Sequence, residues 1–121
     1  IKRSQFDCHE KLGAPSPAYK IRLLHRNARV PQQSTTGAAG YDVFSPEDFH
    51  LPAHSTVNQT LGFSLEPAVD SPRYYPQIMG RSGLAFKHDI RVHPGVVDND
   101  ARGELRVKLS NDGNETYYFK T

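Results

Sequence analysis

Nine Pro and nine Gly residues cut this 121-residue chain into short apolar bursts. No stretch between them sustains a helical period, and no internal repeat is present. A chain punctuated this way suits short strands joined by turns, so the expected class is all-β: a sandwich, barrel or jelly roll. Its length suits one domain around a single core. Tyr19 to Leu24 and Phe49 to Leu51 read as strands, the second closed by Pro52. Thr56 to Leu65 is one long strand or a pair. Tyr74 to Met79 is a strand that Pro76 confines to an edge or a bulge. Leu105, Val107 and Leu109 alternate with Arg106, Lys108 and Ser110, the period of a half-buried strand. Tyr117 to Phe119 follows the turn Asn111-Asp112-Gly113-Asn114. No helix is expected.

Residues 1–17 read as a flexible tail, polar and ending in the linker Gly13-Ala14-Pro15-Ser16-Pro17. The β domain is expected over 18–121. The strands are few for a closed fold, so either more sequence follows Thr121 or neighbouring subunits complete the sheet edges. The absence of an initiator Met points the same way, to a piece of something longer.

Several function classes are disfavoured. The net charge of +2 comes with no basic run and no aromatic-interleaved patch, which argues against a nucleic-acid platform. No apolar run is long enough to span a membrane, and the N-terminus lacks the apolar core of a signal peptide. The single Cys8 excludes an internal disulfide and favours a reducing, intracellular compartment. His50 and His54 have no metal-ligand spacing with Cys8, so no zinc site is expected. His93, near the acidic segment described next, is read as a strand-end surface group.

Three segments carry chemistry. Gly95-Val96-Val97-Asp98-Asn99-Asp100-Ala101-Arg102-Gly103-Glu104 sets a carboxylate directly after an apolar pair. A carboxylate against apolar neighbours is partly desolvated, which suits Asp98 to act as a general base. Gly95 and Gly103 let backbone approach a flat ligand closely. Gly37-Ala38-Ala39-Gly40-Tyr41-Asp42 sets a second carboxylate at a strand start, where it can hold Mg²⁺ directly or through water. Gly80-Arg81-Ser82-Gly83-Leu84-Ala85 offers a guanidinium fork, a hydroxyl and open backbone N–H groups, a set suited to phosphate. Each segment alone is more often an ordinary turn. Metal carboxylate, phosphate clamp and base together are far more specific.

These segments resemble the first three of the five motifs of the trimeric dUTP diphosphatases (dUTPases). The resemblance runs from Tyr19 to Thr121 and includes Arg29-Val30-Pro31 and Leu84-Ala85-Phe86-Lys87-His88. It implies a dUTPase-like β jelly roll assembled as a homotrimer, with active sites at subunit interfaces built from different chains. It implies Mg²⁺-dependent hydrolysis of dUTP to dUMP and pyrophosphate. Asp42 matches the carboxylate that holds Mg²⁺ through water. Arg81, Ser82 and Gly83 match the phosphate-contacting motif. Gly95, Val96 and Val97 match the hairpin that receives deoxyuridine, and Asp98 the acid that activates the attacking water.

The chain departs from the family at Ala101, where an aromatic ring usually packs under the deoxyribose and leaves no room for a 2′-hydroxyl. Motif four would be expected just after Lys120-Thr121, and motif five is a Gly-rich arm beyond it. These departures leave a second expectation open, a dUTPase-like scaffold that binds a protein partner with weak or no turnover. A dCTP deaminase shares the fold, but its catalytic Glu and phosphate-loop pattern have no match here.

Overall fold

The computed structural model describes residues 19–68 and 74–121. The expected tail over 1–17, with Cys8, lies outside the described residues. Among the described residues the chain is all-β with one short helix. The strands are β1 (Tyr19–Leu23), β2 (Phe49–Leu51), β3 (Thr56–Thr60), β4 (Phe63–Pro67) and β5 (Gln77–Ile78). Helix α1 (Ser82–His88) follows, then β6 (Ile90–Val92), β7 (Gly95–Val96), β8 (Arg106–Asn111) and β9 (Tyr117–Phe119). All pairings are antiparallel: β1 with β4, β2 with β9, β5 with β7, and β8 between β3 and β6.

The stretch from Thr56 to Leu65 is a pair of strands, β3 and β4, that join different sheets. Gly62 makes the corner between them, with φ of +75°. A Cβ there would also sit 3.0 Å from the Ala28 Cβ and 3.2 Å from the Pro46 ring. Both the dihedral and the space therefore require glycine. The Leu24 N–H donates to the Gly62 carbonyl (2.7 Å), which pins the end of β1 to the same corner.

Two small apolar clusters form the core. Leu61, Phe63, Leu65, Ile78 and Val97 make one. Leu51, Ile90 and Leu109 make the other, and the half-buried Val92 and Val107 pack against both. The alternation read from β8 holds as far as Leu109, which is buried while Arg106 and Lys108 are exposed; it fails at Ser110, which is buried and hydrogen-bonded to Thr56 and His93.

Helix α1 corrects the expectation of no helix. Its seven residues bury none of their number fully, so no apolar stripe marks it in the sequence. Local terms hold it instead. Asp89 ends it in the left-handed conformation, with its N–H donating to the Leu84 carbonyl, and Lys87 and His88 sit in the last turn. Leu84 packs against the second cluster, the His88 ring lies 4.6 Å from that of Tyr117, and Phe86 is 89% exposed. Strands β6 and β7 were not expected either; at three and two residues they are too short to display a period. The segment from Tyr74 to Met79 contributes only Gln77 and Ile78 to a ladder, at the edge position that Pro76 dictates.

Asn111 closes the expected turn after β8. It is 1% exposed, and its amide donates to the Leu51 carbonyl (2.9 Å) and the Glu115 carbonyl (2.7 Å). Its Oδ1 accepts from the Gly113 N–H (2.9 Å). An apolar side chain here would strand the buried Leu51 carbonyl. Asn111→Leu is expected to lower stability by about 1–3 kcal/mol, read as a fall in the urea midpoint at unchanged slope.

Candidate active site

Asp42 does not start a strand; it lies in an isolated antiparallel bridge with Gln32. The Gln32 N–H donates to its carbonyl (3.0 Å), and its own N–H donates to the Gln32 carbonyl (2.6 Å). The small-residue loop before it is closed by Gln33, whose amide donates to the Thr36 and Ala38 carbonyls (3.0 and 3.3 Å). Beyond it, the Arg29 guanidinium stacks 3.7 Å over the Phe44 ring. The bridge fixes Asp42 with its carboxylate 3.9 Å from Arg81 Nε. The Arg81 side chain is 70% exposed and that of Asp42 30%. A pair this open adds little stability, so its meaning is geometric.

Arg81 precedes α1 in extended backbone and makes no capping bond with its side chain. The guanidinium is therefore not spent on the helix start. Ser82 and Gly83 open the helix, both exposed. A side chain at Gly83 or Gly95 would meet no atom of this chain within 4 Å, so packing within the chain demands neither glycine. A depression of about 520 Å³ runs past Gly80, Arg81, Ser82 and Ala85 to Arg91 and Asp112.

The third segment is tied to the second by β5 and β7. Gln77 pairs with Val96 and Ile78 with Gly95, and the Val97 N–H donates to the Pro76 carbonyl (3.0 Å). Val97 is thereby buried while Val96 stays 59% exposed. The antiparallel register sets Asp98 level with Tyr75 and carries Arg81 away in the opposite direction. Arg81 lies six residues along the chain from Tyr75, past the other end of β5. The structure thus brings Asp42 and Arg81 together, and leaves Asp98 at the far end of the ladder. The Asp98 side chain is exposed, contrary to the desolvated carboxylate that its apolar neighbours suggest. The reason is the alternation of the strand: Val97 turns into the core, so the next residue turns out.

The turn after β7 is closed by the Ala101 N–H donating to the Asp98 carbonyl (3.0 Å). Ala101 is exposed. Arg102 folds back onto this turn, donating to the Asn99 and Ala101 carbonyls (2.6 and 3.2 Å), and lies 3.9 Å from Glu66. Asn99 is bound on its other side by Tyr19 and Tyr74, neither of which the sequence singles out. His93 joins strands rather than the turn. Its Nε2 lies 2.8 Å from Ser110 Oγ, which is 2.8 Å from Thr56 Oγ1.

Among the described residues no group of three or more His, Cys, Asp or Glu side chains could hold a metal ion. The donor set is one half-exposed carboxylate beside a phosphate-type cation. That does not fit a closed protein cage. It does fit Mg²⁺, which keeps most of its waters and binds through one or two carboxylates plus substrate phosphate. Among the described residues no helix is long and apolar enough to cross a membrane.

The family model for dUTPase matches residues 26–121, which include all three segments. The chain belongs to the dUTPase family. Curated relatives agree: the deoxyuridine 5′-triphosphate nucleotidohydrolase of Paramecium bursaria Chlorella virus 1 is 38% identical over 100 residues, covering 83% of this chain and 69% of the viral protein. The Helicobacter pylori (strain P12) protein of the same name is 39% identical over 94 residues, covering 76% of this chain and 63% of its own length. The match therefore spans about two thirds of these dUTPases. Among solved structures, a mutant dUTPase from phage phi11 of S. aureus, described for its coordination of a structural Mg(II) ion, superposes with a TM-score of 0.69. It is 27% identical, over 78% of this chain and 60% of that one. The fold is thus the dUTPase-like jelly roll.

Beside the depression, the Arg91 Nε donates to Asp112 Oδ2 (3.1 Å). That hydrogen bond holds the Asp112 carboxyl below the ordinary carboxylate range, helped by the charges of Arg91, His54 and His93. A depressed native pKa means stability that is present above the unfolded value and lost as pH falls through the native one. A carbon-detected NMR titration of Asp112 is expected to show a midpoint below that of a free Asp, rising toward it in Arg91→Gln.

Proposed function

We propose that this chain forms the body of an intracellular, Mg²⁺-dependent dUTP diphosphatase that hydrolyses dUTP to dUMP and pyrophosphate as a homotrimer. The observation that carries the reading is the division of the site within one chain. Asp42 and Arg81 face each other at one end, and Asp98 stands at the other end of the β5–β7 register. A chain that sends the clamp and the base out at opposite ends of one ladder suits assembly with a second copy that brings them together.

Each residue's part is the one the family resemblance implies, and its chemistry suits it. Arg81 and Ser82 bind phosphate oxygens, Arg81 through its planar fork, and Gly83 leaves the backbone open to them. Asp42 would hold Mg²⁺ through water, and the ion would offset triphosphate charge. Gly95, Val96 and Val97 present main-chain groups to the uracil. The exposed Val96 offers it an apolar face, and the buried Val97 keeps the hairpin rigid. Asp98 takes the proton of a water aligned on the α-phosphorus, and pyrophosphate leaves on the opposite side. Its exposure in a single chain suits a group that becomes enclosed only when a neighbouring subunit docks.

Ala101 supports a second reading, a scaffold of the same fold kept for protein binding with weak turnover. The test is pyrophosphate release from dUTP with Mg²⁺, measured on the full-length protein and on Asp98→Asn. The expected outcome is clear turnover, reduced by at least about 100-fold in Asp98→Asn with KM little changed. Absence of turnover in the unmutated protein would favour the scaffold.

Ala101 also bears on selectivity. Ala101→Tyr is expected to raise kcat/KM on dUTP and to increase the dUTP-to-UTP preference by about tenfold, the scale of one filled apolar contact. Equal dUTP-to-UTP ratios in the two proteins would count against a sugar wall at this position.

A further inference from the structure

The turn that carries Asp98 is exposed and closed by one backbone hydrogen bond, yet the next residue is anchored from three directions. Asn99 Nδ2 donates to the Tyr74 carbonyl (2.8 Å), and Asn99 Oδ1 accepts from the Tyr19 hydroxyl (2.9 Å). The same hydroxyl lies 3.0 Å from the Tyr74 carbonyl, and Arg102 donates to the Asn99 carbonyl (2.6 Å). Tyr19 belongs to β1, 80 residues away in sequence, and its ring packs against the larger core cluster. Tyr74 leads into β5. The side chain of Asn99 therefore ties the turn to the first strand and to the strand that pairs with β7.

We propose that Asn99 is a positioning residue for Asp98: with Tyr19 and the Tyr74 carbonyl, it fixes the carboxylate one peptide unit away. This rests on the reading that Asp98 activates the attacking water. The residue type follows from the geometry. One side chain must donate to a carbonyl and accept from a hydroxyl at once, and an amide of this length does both. Aspartate lacks the donor, and alanine lacks both groups. Burial pushes the Tyr19 phenol up, so it remains a protonated donor across the neutral range. Rigid placement matters because a misplacement of about 1 Å in a reacting group can lower a rate about 100-fold. Asn99 itself need not touch substrate.

The test is steady-state kinetics on the full-length protein carrying Asn99→Ala, Asn99→Asp, Tyr19→Phe and the double variant Tyr19→Phe/Asn99→Ala, with dUMP affinity measured in parallel. Tyr19→Phe keeps the ring in the core and loses only the hydroxyl, so it remains informative if Asn99→Ala folds poorly. Asn99→Ala is expected to lower kcat by about tenfold or more while KM and dUMP affinity stay unchanged. Asn99→Asp is expected to fall with it, and the double variant to be no slower than the slower single one. Placed on Asp98→Asn, Asn99→Ala is expected to cause no further loss, because it acts through the carboxylate already removed. A full wild-type kcat in Asn99→Ala, or a further loss on Asp98→Asn, overturns the positioning role while leaving Asp98 as base. Wild-type turnover in Asp98→Asn instead overturns the reading of Asp98, and the positioning role falls with it.

Discussion

A ladder of two residue pairs organises the functional end of this molecule. β5 and β7 are joined at Gln77–Val96 and Ile78–Gly95, extended by the bond from Val97 to the Pro76 carbonyl. So short a ladder could not stand alone, since isolated two-stranded pairs are marginal in water. It persists because Ile78 and Val97, one from each side, are both buried in the cluster around Phe63. Apolar burial therefore sets the register, and the register sets where Arg81 and Asp98 emerge. A slip of one residue would turn Val97 to solvent and Asp98 into the core.

Three arginines near the candidate site are engaged to different degrees, and the difference sorts them. Arg91 grips Asp112 at 3.1 Å, and Arg102 is taken up by the carbonyls of its own turn. Arg81 only approaches Asp42, at 3.9 Å, and at 70% has the most exposed side chain of these three. Displacing so loose an ion pair sacrifices little, which suits the phosphate contact proposed for Arg81. The same looseness suits Asp42 to share its carboxylate with a hydrated ion.

Features with a local signature were legible in the sequence. The alternation in β8 up to Leu109, the edge position enforced by Pro76 and the turn at Asn111 each rest on a few neighbouring residues, and each is present. Asp42 and Arg81 could be named from residue type, and the fold brings them together. What was hidden depended on partners far along the chain. Helix α1 is held by its ends, by Leu84 and by His88 against Tyr117, so it carries no stripe. The anchoring of Asn99 needs Tyr19, and nothing local to either residue announces the other. The exposure of Asp98 is hidden from the sequence because apolar neighbours along the chain need not be neighbours in space: Val97 turns into the core and Asp98 to solvent.

The placing of Asp98 and Arg81 at opposite ends of one register has a genetic consequence under the proposed assembly. A subunit defective at Asp98 still carries an intact phosphate clamp, and a subunit defective at Arg81 still carries an intact base. Mixed in one trimer, the two would meet at some interfaces in the working combination. Two alleles, each inactive alone, would then complement one another, whereas two alleles damaged at the same end would not.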